Sequence, residues 1–320
     1  MTRYIIRRLL QAIPLLFLIS IFMFALIHLM PGGPDQVIFN PHLSPQGRAD
    51  LRAHFGLDAP IPIQYLKWLG NALTFNFGFS FGTNQPVSQR IAERFPNTLE
   101  LFSLALGLAL ILAIVLGVLA AVRQGTITDY TLTTISYFGI AMPIFLFGLF
   151  AQEIFGVLLH WLPTSGTQTL GYTFSPIDTV FDRLRYLILP VLVLSISFIA
   201  GWSRYMRSSM IEVVKQDYMR TARAKGVGPV RVLVGHALRN AVIPLITVVA
   251  LDFGAVAGGA TITEGVFAWP GVGQLFFQSL EIRDYPVLLA LLMISAVFVI
   301  SFNLIADILY AVMDPRIRYA

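Results

Sequence analysis

The pentapeptide Gly78-Phe79-Ser80-Phe81-Gly82 has the Gly-x-Ser-x-Gly spacing that holds the nucleophilic serine of many hydrolases. That chemistry also needs a strand–turn–helix around the serine, with an acid and a histidine later in the chain. Here the motif lies in a short aromatic stretch, and only His160 and His236 follow it. We therefore predict no catalytic residue and no enzyme activity for this chain.

Cofactor motifs are missing from the sequence as well. There is no Gly-x-x-x-x-Gly-Lys-Ser/Thr phosphate loop, so any use of ATP would require another polypeptide. The five histidines show no metal-ligand spacing, and the absence of cysteine excludes disulfides and cysteine-ligated metals. We predict that the chain binds no metal or cofactor of its own.

Three acidic residues, Glu153, Asp252 and Asp307, lie in or near long apolar segments. A charge at the centre of a bilayer costs about 2.5–3.5 kcal/mol on insertion scales, so each needs a partner or water. For Asp307 an interhelical hydrogen bond is the simpler interpretation. Asp252 precedes Gly254 and Gly258, whose spacing favours close helix packing, and it is the better candidate for a translocation path.

The composition is that of a membrane protein. Of the 320 residues 56% are hydrophobic and only 12% are charged, too few charges to cover an aqueous surface. The net charge of +5 could suggest nucleic acid, but the basic residues adjoin apolar segments, which fits membrane topology instead. The first apolar segment is longer than a signal peptide's, so an uncleaved first helix is expected. The six predicted spans are Leu9–Met30, Thr98–Val122, Leu132–Leu158, Tyr186–Trp202, Ala241–Thr263 and Pro286–Val312.

Lysine and arginine placement predicts the orientation. Arg3, Arg7 and Arg8 precede the first span, and the loop after the fourth span is the most basic of the chain, so both termini and this loop are expected in the cytoplasm. The predicted segments are 1–30 for the first helix, 31–97 for an extracytoplasmic loop and 98–320 for a five-helix core. Within the external loop, helices are predicted from Ser44-Pro45 to Gly56 and over Pro62–Leu73.

The basic loop, about 203–240, carries several helix signals. Ser209 and Glu212 have capping-box spacing, and Gly226 follows as a helix stop, with Lys225 in the last turn. Pro229 then restarts a short helix. This segment either packs on its own transmembrane helices or protrudes to dock in a groove of a soluble partner. The residues predicted on one face of the first helix are Met210, Val213, Val214, Tyr218, Thr221 and Ala222, and on one side of the second Val230, Leu233, Val234 and Ala237.

Several motifs together resemble the dipeptide and oligopeptide permeases of ATP-driven ABC importers, over almost the whole chain. They are Met30-Pro31-Gly32, Phe55-Gly56-Leu57-Asp58, Thr98-Leu99-Glu100, Trp161-Leu162-Pro163-Thr164-Ser165-Gly166, Asp217 to Gly226, His236 to Ala241, Thr263 to Gly271, Arg283-Asp284-Tyr285-Pro286 and Asp314-Pro315-Arg316. The general importer pattern of the loop keeps its glycine at Gly226, while its Glu, first Ala, Ile and Pro are replaced. These departures resemble the peptide-type variant of the family.

The resemblance implies an all-α membrane protein of type I ABC importer permease architecture, with about six transmembrane helices and a folded external first loop. It implies a second homologous permease, two ATP-binding subunits that hold ATP and Mg, an extracytoplasmic binding protein and a peptide substrate, in a bacterial or archaeal plasma membrane. The basic loop would contain the coupling helix, which contacts the ATPase. The expected coupling residues are Asp217, Tyr218, Arg220, Thr221, Ala222, Lys225, Gly226, Val230, Leu233 and His236.

Two further interpretations stay open at this point. Glu264 and Trp269 belong to an external loop in which an aromatic membrane anchor and a contact with the receptor or the pore mouth are equally compatible. The rival class is an ion-coupled secondary transporter that acts without an ATPase and uses Asp252 or Asp307 as its proton carrier. Dependence on a separate ATPase distinguishes these two classes.

Overall fold

The computed structural model describes residues 2–29, 46, 58–172 and 175–313. In this part the backbone is helical apart from turns and an isolated bridge between Phe79 and Pro86. We number the helices in chain order: α1 Thr2–Leu29, α2 Ile61–Leu73, α3 Val87–Val122, α4 Ile127–Ala141, α5 Ile144–Leu158, α6 Pro176–Val214, α7 Asp217–Ala224, α8 Pro229–Gly258, α9 Thr261–Val266, α10 Val272–Glu281 and α11 Tyr285–Met313.

The predicted all-α fold with about six spans is confirmed. Helices α1, α3, α6, α8 and α11 are each long and apolar enough to cross a membrane, and α4 with α5 makes a sixth span if the bent pair counts as one. Helices suit a lipid environment because they satisfy every backbone N–H and C=O group within the segment.

The third predicted span, Leu132–Leu158, is not a single straight helix. Helices α4 and α5 meet at an angle of 99°. Met142 is extended, with φ −84° and ψ 128°, because the ring of Pro143 disfavours a helical conformation in the residue before it. The structure therefore places a sharp corner within this apolar segment.

The fourth predicted span covers only the uncharged middle of a much longer helix. Helix α6 has 39 residues and continues through Pro190, which the sequence interpretation had placed near its start. Ser175 is its N-cap, and the Ser175 hydroxyl accepts a hydrogen bond from the Asp178 N–H at 3.3 Å. The predicted capping box at Ser209 and Glu212 is wrong, since both residues lie inside α6.

The fifth predicted span is shifted along the chain. Helix α8 begins at Pro229 rather than Ala241 and ends at Gly258 rather than Thr263. Gly259 ends it with φ +72°, and a Cβ atom there would lie 2.3 Å from the backbone nitrogen of Gly273, so glycine is required. The predicted helix Pro62–Leu73 is confirmed as α2, while the one from Ser44-Pro45 to Gly56 lies outside the described residues.

The chain divides into two compact units. The first contains Met1–Thr98, Ala255–Thr261 and Pro270–Ser301, and the second contains Leu99–Gly254, Ile262–Trp269 and Phe302–Ala320. The predicted division at residues 30 and 97 stays a prediction.

In the second unit, α4, α5 and α8 pack against α6. Gly139 of α4 allows a close approach to α6, where a Cβ atom would lie 3.1 Å from the Ala200 methyl group. The Asp129 carboxylate of α4, 2% exposed, accepts bonds of 2.6 and 2.7 Å from the Arg207 guanidinium of α6. This ion pair fixes one end of the contact between α4 and α6.

In the first unit, a buried carboxylate joins the turn after α2 to the start of α11. Asp284 is fully buried and accepts hydrogen bonds from the Ser80 hydroxyl, from the Phe81 N–H at 3.0 Å and from the Arg90 guanidinium at 3.3 Å. Gly82 lies against this group, where a Cβ atom would come within 2.5 Å of the Ile282 side chain. The Gly-x-Ser-x-Gly serine is therefore a structural hydrogen-bonding residue.

We expect Asp284→Ala to destabilise the first unit strongly. The substitution leaves the Arg90 guanidinium, whose side chain is 14% exposed, without its carboxylate, a change that costs about 3–5 kcal/mol in buried pairs. The measurement is the thermal unfolding midpoint of the purified protein in detergent. Asp178→Ala is the control, because Asp178 is exposed and should shift the midpoint little. Equal midpoints for the two variants would contradict the assigned role of Asp284.

Candidate functional site

The basic loop folds around a short helix, α7. Gln216 starts it in an extended conformation, with no side-chain cap. Met219 points inward and is 1% exposed, and α7 packs against residues 232–238 at the beginning of α8. Asp217 and Arg220 face outward, and their 3.6 Å ion pair is so exposed that it adds little stability. A single methionine therefore anchors this helix.

The end of α7 is a Schellman motif. The Gly226 N–H donates to the Arg223 carbonyl at 3.0 Å, and the Val227 N–H donates to the Ala222 carbonyl at 3.3 Å. Gly226 has φ +75°, the left-handed conformation typical of a glycine that ends a helix, so the predicted helix stop is confirmed. A Cβ atom at Gly226 would meet nothing within 4 Å, so any cost of substitution there arises from the backbone conformation.

Helix α8 begins irregularly. Pro229 occupies the first helical position, and residues Val232–Leu238 form a π-helix. The wider turn places Val232 and Ala237, five positions apart, on the buried face, with exposures of 4% and 0%. Val230 and Val234 remain 72% and 54% exposed. The second loop helix is thus the first turns of α8 rather than a separate short helix.

The predicted apolar face of the first loop helix is wrong. Met210 is buried as part of α6, whereas Tyr218 is 44% exposed on α7, because the chain breaks between Val214 and Asp217. The sequence interpretation missed Met219, although its i,i+3 spacing to the partly buried Ala222 was a signal.

The structure brings α7 and the start of α8 together and leaves most of the expected coupling residues on the surface. Ala222 and Leu233 are partly buried. The exposed ones are Asp217, Tyr218, Arg220, Thr221, Lys225, Gly226, Val230 and His236. These eight exposed residues, together with Val234, form the surface that we call the loop surface. Its exposed apolar members are Tyr218, Val230 and Val234.

Asp252 joins two long helices. Its carboxylate accepts a hydrogen bond of 2.7 Å from the indole N–H of Trp202, so α8 is bonded to α6 through this pair. Trp202 is 2% exposed. This bond gives Asp252 a structural partner, and its place on a translocation path stays a prediction.

Glu264 and Trp269 are both fully buried. The backbone N–H of Trp269 donates to the backbone carbonyl of Glu264 at 2.8 Å, and the turn between these two residues includes Ala268, with φ +48°. The Arg183 guanidinium lies 5.2 Å from the centre of the Trp269 ring and also bonds the Glu100 carboxylate. A direct contact of either side chain with a receptor would first require its exposure. The sequence interpretation missed this cluster, because its members are far apart in the chain.

Among the described residues, no group of three or more histidine, aspartate or glutamate side chains is placed to hold a metal ion. Ser80, the candidate nucleophile of the Gly-x-Ser-x-Gly motif, is fully buried against Asp284 and Arg90. It has neither the exposure nor the strand–turn–helix setting of a hydrolase serine.

Comparison with known proteins identifies the class. Residues 113–319 match the family described as the binding-protein-dependent transport system inner membrane component, and residues 1–102 match its N-terminal membrane component. The chain therefore belongs to this family of multi-pass inner membrane transport components.

Individual relatives match over their full lengths. The chain is 46% identical over 320 residues to an oligopeptide transport system permease of Bacillus subtilis, covering 100% of both chains. It is 40% identical over 334 residues to a di/tripeptide transport system permease of Pseudomonas aeruginosa, covering 100% of this chain and 99% of the relative. It is 39% identical over 319 residues to a glutathione transport system permease of Shigella flexneri, covering 100% of both.

We expect Met219→Asp to detach α7 from the start of α8. A carboxylate in place of a buried methionine loses the packing of that side chain, worth about 2–5 kcal/mol, and is itself costly to bury. Trypsin should then cleave the purified protein after Arg220 and Arg223 at least about tenfold faster, because cleavage follows the population of the open form. Tyr218→Asp is the matched control at an exposed neighbour. Equal cleavage rates for the two variants would show that Met219 does not anchor the helix.

Proposed function

We propose that this protein is the permease subunit of an ATP-driven peptide importer and forms half of its translocation pathway. The observation that carries the proposal is the full-length match to inner membrane components of binding-protein-dependent transport systems. The other half of the pathway comes from a second, homologous permease. An extracytoplasmic binding protein delivers the substrate, and two ATP-binding subunits supply the energy.

The loop surface is the proposed contact with an ATP-binding subunit. It combines a short, separately capped helix with three exposed apolar side chains, Tyr218, Val230 and Val234, which have no role in the interior of the chain. Covering the remaining exposed parts of these three side chains contributes roughly 3–5 kcal/mol before the costs of association. Such a contact transmits force, because α8 continues from the loop surface into a long apolar helix.

The proposed mechanism is alternating access. ATP and Mg bind in the partner subunits, whose closure moves the loop surface and reorients the spans around the substrate. In this chain the work is mechanical, and no covalent bond is made or broken. The family match argues against the ion-coupled alternative, since the chain belongs to a family of binding-protein-dependent components. Asp252, one of its two candidate proton carriers, is also hydrogen-bonded to Trp202.

A peptide is the proposed substrate class. The three relatives named above are called permeases for oligopeptides, for di- and tripeptides and for glutathione, which all contain peptide bonds. Full-length identities of 39–46% to all three support a shared scaffold for such solutes. The proposed location is a bacterial or archaeal plasma membrane, with both chain termini and the loop surface in the cytoplasm, as the distribution of basic residues predicts.

We expect Gly226→Val to abolish coupling without unfolding the spans. Valine in a left-handed conformation costs on the order of 1–3 kcal/mol and should redirect the start of α8 relative to α7. The variant should insert normally, lose its co-purifying ATP-binding subunits and transport little peptide. Gly228→Val is the matched control, because Gly228 has φ −57° and a Cβ atom there meets nothing within 4 Å.

A Gly226→Val protein that keeps its ATP-binding subunits and full transport would contradict the role of the loop surface. A Gly228→Val protein that fails equally would show that the whole turn is intolerant of side chains and that the left-handed residue is not the reason.

Single-cysteine labelling tests the orientation, and the cysteine-free sequence gives no background. Val230→Cys and Leu170→Cys introduce thiols at positions that are 72% and 83% exposed. In intact cells an impermeant maleimide should label position 170 only, and position 230 should react only after the membrane is opened and the ATP-binding subunits are removed. Labelling of position 230 in intact cells would reverse the orientation and exclude the ATPase contact.

A further inference from the structure

We propose that a pocket between α4 and α6 binds the phosphate group of an anionic phospholipid. The pocket has a volume of about 400 Å³, and its polar lining consists of Thr133, Tyr137, Arg204, Tyr205, Arg207 and Ser208. Guanidinium and hydroxyl groups dominate this lining, and two of its members, Arg207 and Thr133, are already bonded to the Asp129 carboxylate behind it. All of these residues belong to the second unit.

The position of the pocket along α6 corresponds to the headgroup region of a bilayer. Residues 186–203 of α6 contain no Asp, Glu, Lys or Arg, and at the rise of an α-helix they span about 27 Å, close to the thickness of the hydrocarbon core. Arg185 and Arg204 stand at the two ends of this stretch. Arg204 therefore lies where the helix leaves the hydrocarbon and where lipid phosphates are found.

Arg204 is available to bind an anion, unlike the other arginine of the pocket. The neighbouring Arg207 is occupied by Asp129. The Arg204 guanidinium lies 4.4 Å from the centre of the Tyr137 ring, and within the described part of the chain no carboxylate lies within ion-pairing distance of it. The ring orients the guanidinium without neutralising it. An anionic ligand with several acceptor oxygens would supply the missing charge.

Phosphate suits this lining because its oxygens accept bonds from a guanidinium and from hydroxyl groups together. A lipid is the favoured source, because the pocket lies at the end of the uncharged stretch of α6 and its lining includes two exposed tyrosines, Tyr137 and Tyr205. Exposed tyrosines are typical of the membrane interface, where lipid phosphates are found. Basic pockets between membrane helices bind anionic lipid headgroups elsewhere.

The test is native mass spectrometry of the full-length chain, purified in detergent with the subunits that accompany it and titrated with phosphatidylglycerol or phosphatidylcholine. The wild type should retain phosphatidylglycerol preferentially. Arg204→Gln should weaken this retention by about fivefold. Arg185→Gln is the matched control, since it removes the same charge from the other end of the same helix stretch and should change retention little.

Equal retention by the wild type and Arg204→Gln, or equal losses in Arg204→Gln and Arg185→Gln, would overturn the proposal. Retention of inorganic phosphate without preferential retention of phosphatidylglycerol would assign the site to free phosphate and overturn the proposal. A second measurement needs no variant: phosphatidylglycerol should raise the thermal midpoint of the wild type above its value in phosphatidylcholine, and equal midpoints would overturn the proposal. Retention of the lipid in detergent depends neither on the proposed orientation nor on transport. The lipid site is therefore tested independently of the proposed function.

Discussion

Hydrogen bonding of the backbone in a hydrocarbon environment is the constraint on which this structure depends. Peptide groups that leave water must bond within their own segment, so the apolar segments form helices. Two breaks occur where the sequence disfavours a helical conformation, at Met142 before Pro143, or permits a left-handed one, at Gly259 after α8, whereas α6 continues through Pro190. These breaks set where each helix ends and therefore which polar side chains meet.

Buried polar side chains in and next to the helices also need hydrogen-bonding partners. Asp129 pairs with Arg207, Asp284 with Arg90, and Asp252 accepts a bond from Trp202. Asp129 and Arg207 lie on different helices, as do Asp252 and Trp202, and Asp284 directly precedes α11 and pairs with α3. These polar groups therefore join helices that apolar packing alone would leave free to slide. Lipid tails are as apolar as leucine, and specific contacts of this kind therefore decide the register between helices.

The loop surface is held to the rest of the chain by few buried side chains. Helix α7 has one fully buried side chain, Met219, and ends in a hydrogen-bonded glycine turn. It is held in place locally while Tyr218 and Val230 stay exposed. A segment that is ordered but lightly anchored can bind another protein at small cost in conformational entropy. This property fits the mechanical role proposed for it, and the π-helix at the start of α8 adjusts which side chains face outward.

The sequence alone determined the class and most of the spans, because a long uncharged segment has few alternatives to a membrane helix. It also predicted that Gly226 ends a helix, since glycine adopts the left-handed conformation of a helix end without a Cβ penalty. Tertiary structure decided the 99° bend, the true length of α6, the inward direction of Met219 and the burial of Glu264 and Trp269. The buried carboxylate network of Asp284, Ser80 and Arg90 was equally hidden. Such features depend on contacts between residues up to 204 positions apart, which local patterns do not encode.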